Sequence, residues 1–232
     1  MKKNNNIIPI SFIAGSGGRF ISYLINSAKC TKPVQLQFSE RGNAHDLWNL
    51  EIELATTPFP IPFPVGEHAK IFFNVFHRLI RDKEYVKMNP LPWYGSCHVE
   101  DIDALLLYFN KAIHIGFDAE DVFNITLTFL GKRIIDDARV TDMKYIKLRY
   151  SQYFTYLTDS LISRTVRTDL EPNLLNLTWK DIYVNDPTIL IEKLSNFSSI
   201  PYEKFKLHDL IEWRRRTKNG IEEIQTLLNV AK

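Results

Sequence analysis

The chain has 232 residues, of which 45% are hydrophobic and 24% are charged, and its formal net charge is +2. This length and composition are typical of a single globular domain with a sizeable core. A net charge this small gives no overall field that would attract nucleic acid or a membrane surface, and we expect neither as a partner.

The cysteine content and the hydropathy of the chain favour a cytoplasmic protein. Cys30 and Cys97 are too few for a disulfide framework, and neither has a second cysteine at C-x-x-C spacing. No apolar stretch reaches the ~20 residues that cross a bilayer. The apolar run over residues 7–14 is short and contains Pro9, so we interpret it as a first core strand rather than a secretory signal.

The first predicted unit is a strand, a glycine turn and a helix. The apolar run from Ile7 stops at Gly15, Ser16, Gly17 and Gly18. A helical pattern of apolar residues follows, formed by Phe20, Ile21, Leu24, Ile25 and Ala28. Such a turn directs unpaired backbone N–H groups and the positive end of the helix dipole at one point. The sequence therefore predicts an anion site here, suited to a phosphate or sulfate group.

The turn departs from two common phosphate-binding patterns. The P-loop pattern of ATPases and GTPases requires Gly-Lys-Ser/Thr, whereas Gly18 is followed by Arg19 and Phe20. In the dinucleotide pattern G-x-G-x-x-G/A, Phe20 stands where the third small residue belongs. Glu40 follows a strand-like alternation over residues 34–38 and could bind a ribose. A Rossmann-type site for NAD or S-adenosylmethionine therefore stays open as an alternative.

Residues 41–92 are predicted to be an extended, proline-rich and helical insertion. Pro58, Pro60, Pro62 and Pro64 alternate with other residues, and this excludes a central strand because proline lacks the N–H that a sheet needs. Farther along the insertion, the apolar spacing predicts a helix over residues 67–81.

A strand that ends in a histidine follows the insertion. Residues 93–98 have the pattern of a short aromatic strand ending in His98, and acidic residues then begin a helix. Residues 111–117 form a compact strand pattern, and an apolar helix begins near Val122. Because His98 would lie at the same edge of the sheet as the glycine turn, it is a candidate general base. The other histidines show no metal-ligand spacing, so we expect no metal site.

The last third of the chain is predicted to contain a helix, a strand and three further helices, over residues 143–168, 173–178, 186–197, about 202–216 and 218–231. We interpret the basic residues 214–216, before Gly220, as the C-terminal cap of the fourth of these elements. The alternation of strands and helices predicts an α/β fold with a mostly parallel sheet flanked by helices on both faces. We expect one domain over residues 1–232, with residues 200–232 as a helical C-terminal extension.

Residues 14–20 resemble the 5′-phosphosulfate-binding loop of the sulfotransferase-like P-loop superfamily. Ser16 and Gly17 match the Ser-Gly pair of that loop, and Phe20 matches its bulky aromatic residue. The chain departs from the family pattern at a lysine and two hydroxyl residues, which are here Gly15, Gly18 and Arg19.

The resemblance continues downstream in the same order. His98 matches the family histidine that takes the proton of the acceptor hydroxyl, and Asp121 with Val122 matches an Asp-Val pair after the next strand. Phe117 occupies the place of the arginine that grips the 3′-phosphate of the cofactor, and Thr126 lies one residue from the place of its partner serine.

The resemblance implies a three-layer sandwich that binds 3′-phosphoadenosine 5′-phosphosulfate. The implied cofactor contacts are Gly15, Ser16, Gly17, Gly18, Arg19, Phe20 and Thr126. His98 would be the catalytic base, and Arg19 would stabilise charge on the leaving phosphate while a small molecule or saccharide accepts the sulfuryl group through a hydroxyl or amine. No metal would be required. A non-catalytic nucleotide- or anion-binding module of the same fold is the second alternative.

Overall fold

The computed structural model of the protein describes residues 7–29, 36–38, 44–46, 93–97, 102–135, 142–161, 165, 167 and 171–228. The strands are β1 (Ile7–Ser11), β2 (Leu36–Phe38), β3 (Ala44–Asp46), β4 (Trp93–Cys97), β5 (Ala112–Gly116) and β6 (Leu174–Thr178). The α-helices are α1 (Gly18–Lys29), α2 (Ile102–Tyr108), α3 (Val122–Phe129), α4 (Met143–Asp159), α5 (Trp179–Tyr183), α6 (Pro187–Ser198) and α7 (Leu207–Leu228). Shorter helical turns are Ala119–Asp121, the π-helical Leu130–Ile135 and Tyr202–Lys204.

Four of the strands form a parallel sheet in the order β4-β1-β5-β6. β1 lies inside this sheet, with its Ser11 opposite Cys97 of β4 on one side and His114 of β5 on the other. Every residue of β5 is buried, as is usual for inner strands of parallel sheets. β2 and β3 form a separate antiparallel pair. The chain therefore has an α/β fold, and β1 delivers its carboxyl end to the middle of the sheet edge.

α1 packs on the sheet through its apolar stripe. Ile21, Leu24 and Ile25 are fully buried and share one core cluster with Ile10 of β1 and Ile113 of β5. Two later helices complete this core with Leu190, Ile191, Leu194, Leu210 and Trp213. Burial of each such aliphatic side chain contributes about 1.5–3 kcal/mol, so this face of α1 fixes the helix directly behind the glycine turn.

Most of the predicted elements that the structure describes are confirmed. Four predicted strands are present: β1 lies in the range 7–14, β4 in 93–98, β5 in 111–117 and β6 in 173–178. Three predicted helices are present as well: α1 follows the glycine turn, α3 begins at Val122, and α6 matches the range 186–197. The helix predicted over 143–168 is α4, which ends earlier, at Asp159. The helix predicted over 67–81 and the four alternating prolines lie outside the described residues. No helix in the described ranges has the length and apolar character needed to span a membrane.

The prediction of two closing helices separated near residue 217 is wrong, because α7 runs unbroken from Leu207 to Leu228. Gly220 is buried in the middle of this helix instead of capping its end. A Cβ placed on Gly131 would lie 3.6 Å from the carbonyl oxygen of Gly220, which is ordinary contact distance, so the π-helical turn packs against α7 at this glycine. This contact with the π-helical turn favours continuing the helix, and tertiary packing outweighs the local preference of glycine to end one.

Arg214 caps a different helix from the one that the sequence indicated. Its guanidinium donates hydrogen bonds to the carbonyl oxygens of Asp181, Ile182 and Asn185, at 2.8, 2.7 and 2.5 Å. These carbonyls end α5 and its following turn, where helical N–H partners run out. Since α5 contributes Tyr183, whose contacts are described below, Arg214 ties that tyrosine to α7.

We expect Arg214→Met to lower the free energy of unfolding by about 2 kcal/mol, because three backbone carbonyls lose a charged donor while the aliphatic packing is kept. Arg215→Met is the matched control, since Arg215 is exposed and pairs with Glu212 on the surface of the same helix. That control should change stability by no more than about 0.5 kcal/mol. Urea unfolding followed by circular dichroism measures both values, and equal losses in the two variants would contradict the capping role.

Candidate functional site

The turn between β1 and α1 requires glycine at two positions. Gly15 has a φ of +89° and Gly17 a φ of +92°, which is the left-handed region that side chains with a Cβ rarely adopt. A Cβ on Gly15 would lie 2.7 Å from the carbonyl oxygen of Ile125, and one on Gly17 would lie 3.0 Å from the Trp213 ring. α3 and α7 therefore pack directly against the turn.

Protein donors hold the carbonyl groups of the turn. The Tyr153 hydroxyl donates to the carbonyl oxygen of Ala14 at 2.5 Å, and the Tyr183 hydroxyl donates to that of Gly15 at 3.0 Å. Ser16 donates to the carbonyl oxygen of Ile13 twice, from its backbone N–H at 3.0 Å and from its hydroxyl at 2.7 Å. These four bonds come from three parts of the chain and fix the path of the backbone before the helix begins.

At the start of α1, the described residues offer no acceptor to the backbone amides of two glycines. The carbonyl oxygen of Gly17 accepts from the N–H groups of Phe20 and Ile21, at 2.9 and 3.1 Å. Among the described residues, by contrast, no acceptor lies within hydrogen-bond reach of the N–H of Gly17 or of Gly18. The first turn of α1 contains no acidic residue that could compete for this position.

The expectation that Ser16 and Phe20 contact the cofactor through their amides needs a correction. The N–H of Ser16 is bonded to Ile13 and that of Phe20 to Gly17, so neither is available to a ligand. Ser16 is also fully buried, and the Phe20 ring is 1% exposed. The tight turn and the first helical hydrogen bond use these two donors. Of the amides that remain, those of Gly17, which is partly exposed, and Gly18, which is buried, have no acceptor among the described residues.

An aromatic wall lines one side of the turn. The Phe20 and Trp213 rings stack with centroids 4.0 Å apart and planes 5° from parallel, and Tyr183 meets Trp213 at 4.9 Å. The side chain of Lys132 lies against this wall, with its Nζ 4.2 Å from the Trp213 centroid and 3.3 Å from the Tyr183 hydroxyl oxygen. A buried lysine thus borders the same two side chains as Gly17, and no sequence pattern identifies it.

Burial sets the protonation of the tyrosine that joins these groups. It raises the pKa of Tyr183 far above its usual range, and the opposing effect of the Arg214 charge is smaller. The hydroxyl therefore stays protonated and can donate to Gly15 at every physiological pH. Burial would also raise the pKa of Asp181 in the same helix, but hydrogen bonds from Lys193 and the Thr178 N–H outweigh it, and that pKa lies below its usual value.

The other predicted site residues lie in different settings. His98 is outside the described residues, and the residue before it, Cys97, pairs with Ser11 at the carboxyl end of β1. Arg19 is partly buried in the first turn of α1. Thr126 is fully buried, and its hydroxyl donates to the Val122 carbonyl oxygen of its own helix at 2.8 Å, so that donor is committed.

Two further predictions concern a 3′-phosphate and a metal. Phe117, at the place of the family arginine, is fully buried in an apolar cluster with Ile13, Val122 and Trp179. No cation therefore occupies that position. Within the described ranges, no group of three His, Cys, Asp or Glu residues has a geometry that could hold a metal ion.

Comparison with known proteins finds no family model, no curated protein and no solved structure that matches this chain. A function can therefore be inferred only from the chemistry of the turn, from the residues packed around it and from its place in the sheet.

Proposed function

We propose that this protein binds the phosphate or phosphosulfate end of a nucleotide at the start of α1. The proposal rests on the amides of Gly17 and Gly18, for which the described residues offer no acceptor, at the positive end of a twelve-residue helix without an acidic residue in its first turn. The tyrosine bonds to Ala14 and Gly15 hold this backbone in place before a ligand arrives, which limits the entropy lost on binding.

The position of the turn in the sheet supports the same site. Of the two neighbours of β1 in the parallel sheet, β4 comes first in the chain and lies on one side of β1. The chain then continues to β5, which lies on the other side of β1. Right-handed connections, which are nearly universal, would place α1 and α2 on opposite faces and produce the three-layer sandwich of the sulfotransferase-like superfamily. In such sheets ligands bind outside the carboxyl ends of the strands, where the order reverses, and here that point is the end of β1.

The described residues suit the 5′ end of 3′-phosphoadenosine 5′-phosphosulfate and do not suit its 3′-phosphate. Amides at Gly17 and Gly18 would bind the 5′ group, with Arg19 in the same helical turn. Phe117 supplies no charge, and the Thr126 hydroxyl is already bonded, so these two positions give no selectivity for a 3′-phosphorylated nucleotide. We therefore derive no contact to that phosphate.

Sulfuryl transfer is the reaction that the family resemblance favours. An acceptor hydroxyl or amine would attack sulfur, the bond from sulfur to the bridging phosphate oxygen would break, and His98 would take the acceptor proton. The acceptor class is a small molecule or saccharide, and the proposed compartment is the cytoplasm. If nucleotide binds without turnover, the chain is instead a binding module of the same fold.

One observation disfavours the dinucleotide alternative. A Rossmann-type site places its acidic ribose ligand at the end of a strand that neighbours the first strand in the parallel sheet. The neighbours of β1 are β4 and β5, whereas β2, the strand that precedes Glu40, pairs with β3 in a separate antiparallel sheet. Glu40 itself lies outside the described residues.

Calorimetric titration with phosphate, ADP, adenosine 3′,5′-bisphosphate, NAD and S-adenosylmethionine tests the proposal. We expect the first three to bind and the last two to bind no better than ADP. Arg19→Glu should weaken binding at least about tenfold, because it places a negative charge at the second position of α1. Lys144→Glu makes the same change at the second position of α4 and should have no effect.

If the wild-type protein binds none of these ligands, the proposed function is overturned. A response to NAD or S-adenosylmethionine alone would favour the Rossmann alternative. For the reaction, His98→Ala should abolish sulfuryl transfer and leave nucleotide affinity unchanged, and unchanged turnover in this variant would remove His98 from the mechanism.

A further inference from the structure

We infer that Lys132 supplies the principal positive charge of this anion site, a role that no sequence pattern assigned to it. The inference rests on the proposed function and makes it specific, since it names a side chain that would contact the bound phosphate. Three features of Lys132 support this role: its position in the chain, the contacts of its ammonium group and its burial.

Lys132 is carried by the segment that also packs against the turn. α3 meets Gly15 through the carbonyl oxygen of Ile125 and the N–H of Phe129, and the π-helical turn that contains Lys132 follows without a break. A π-helical turn changes the direction in which side chains leave a helix, and such turns occur often at functional sites. The cation and the glycine turn are thus parts of one packed unit.

The ammonium group contacts two side chains that also border Gly17. Its Nζ lies 3.3 Å from the Tyr183 hydroxyl oxygen, 4.2 Å from the Trp213 centroid and 5.2 Å from the Tyr183 centroid. The same hydroxyl and the same indole would lie 3.2 and 3.0 Å from a Cβ on Gly17. Lysine and glycine therefore border the same two side chains.

Burial makes this charge effective. Lys132 is only 9% exposed, and its contacts, which include a cation–π contact to Trp213 and a hydrogen bond to Tyr183, offset part of the cost of burying an ammonium. At low solvent exposure, however, attraction to an anion is screened much less than on the surface. A lysine is also a compact charge that suits a phosphate oxygen without demanding a planar two-point contact.

Phosphate and ADP titrations of three variants test the role. Lys132→Met keeps the aliphatic stem and removes the charge, and we expect the dissociation constant to rise about 10- to 100-fold. Lys132→Arg restores the charge, although not the compact shape of the ammonium, and should bind more tightly than Lys132→Met. The matched control is Lys111→Met: Lys111 also lies over an aromatic ring, at 5.1 Å from the Phe197 centroid, but precedes β5 at the opposite edge of the sheet.

The outcomes separate the two proposals. Binding by the wild type that is unchanged in Lys132→Met overturns the role of Lys132 and leaves the proposed function standing. Equal weakening in Lys132→Met and Lys132→Arg also overturns it, because packing and not charge would then be responsible. No binding by the wild type overturns both. If Lys132→Met does not fold, NMR of wild-type protein with isotope-labelled lysine tests the role instead. Adding phosphate should then shift the signal of the Lys132 side chain. A signal that does not move would overturn the role.

Discussion

Gly18→Ala is expected to destabilise the protein by about 3 kcal/mol, at the upper end of what one added methyl group costs in a packed core. A Cβ on Gly18 would lie 2.2 Å from Cγ of Phe12, 2.5 Å from its Cδ1 and 2.6 Å from its Cβ. Phe12 is 4% exposed and belongs to the core cluster that holds α1 on the sheet. The short contact to the Phe12 Cβ means that a ring rotation alone cannot relieve the clash. Urea unfolding measures the loss.

Gly131→Ala is the matched control for this substitution. Its added Cβ would find its nearest neighbour at 3.6 Å, which is ordinary contact distance. We expect a change of no more than about 1 kcal/mol, in the stabilising direction, because alanine lowers the entropy of the unfolded chain. A Gly18→Ala variant as stable as Gly131→Ala would show that α1 does not begin against Phe12.

The glycines of the turn serve two physical purposes at once. Gly15 and Gly17 have backbone angles that a side chain would strain, and Gly18 allows α1 to start in contact with Phe12. Packing alone explains why these positions are glycine. The amides of Gly17 and Gly18 have no acceptor among the described residues, as is usual at the start of a helix, and an anion is a partner that suits them. The proposed ligand therefore rests on those amides and not on the glycine count.

The local elements of this fold were predictable because their signals are local. The apolar run from Ile7 and the helical stripe through Ile21 and Leu24 are complete within about twenty residues, and both β1 and α1 follow them. Gly220 shows a limit of prediction from local signals. The local preference of glycine predicts a helix end, but the approach of Gly131 from a distant segment continues α7 through it.

The surroundings of the turn could not be predicted, because they come from distant parts of the chain. Tyr153 and Tyr183 lie 139 and 168 residues from the carbonyls that they bind. Lys132 follows an apolar helix without any motif, and its contacts include rings contributed by α5 and α7. The order of the strands, which decides the neighbours of β1, likewise could not be predicted from any one segment of the chain.

Trp213→Ala is expected to cost about 3–5 kcal/mol of stability, which is typical of a buried aromatic side chain replaced by alanine. Trp213 is 1% exposed, stacks on Phe20 and touches the ring of Tyr183. Ile211→Ala, two residues earlier in α7, is the control: Ile211 is 49% exposed, so we expect a change of about 0.5 kcal/mol or less. Thermal and urea unfolding, followed by far-ultraviolet circular dichroism, measure both.

Trp213→Phe separates the effect of lost packing from the effect of losing the indole ring next to Lys132. It keeps an aromatic partner for Phe20 and should recover more than half of the lost stability, because less volume is left empty. Phosphate affinity should follow the same order, wild type above Trp213→Phe above Trp213→Ala, since the ring borders both Gly17 and the Lys132 ammonium. Full phosphate affinity in a folded Trp213→Ala protein would place the anion away from the aromatic wall and would leave the Gly17 and Gly18 amides as its only support.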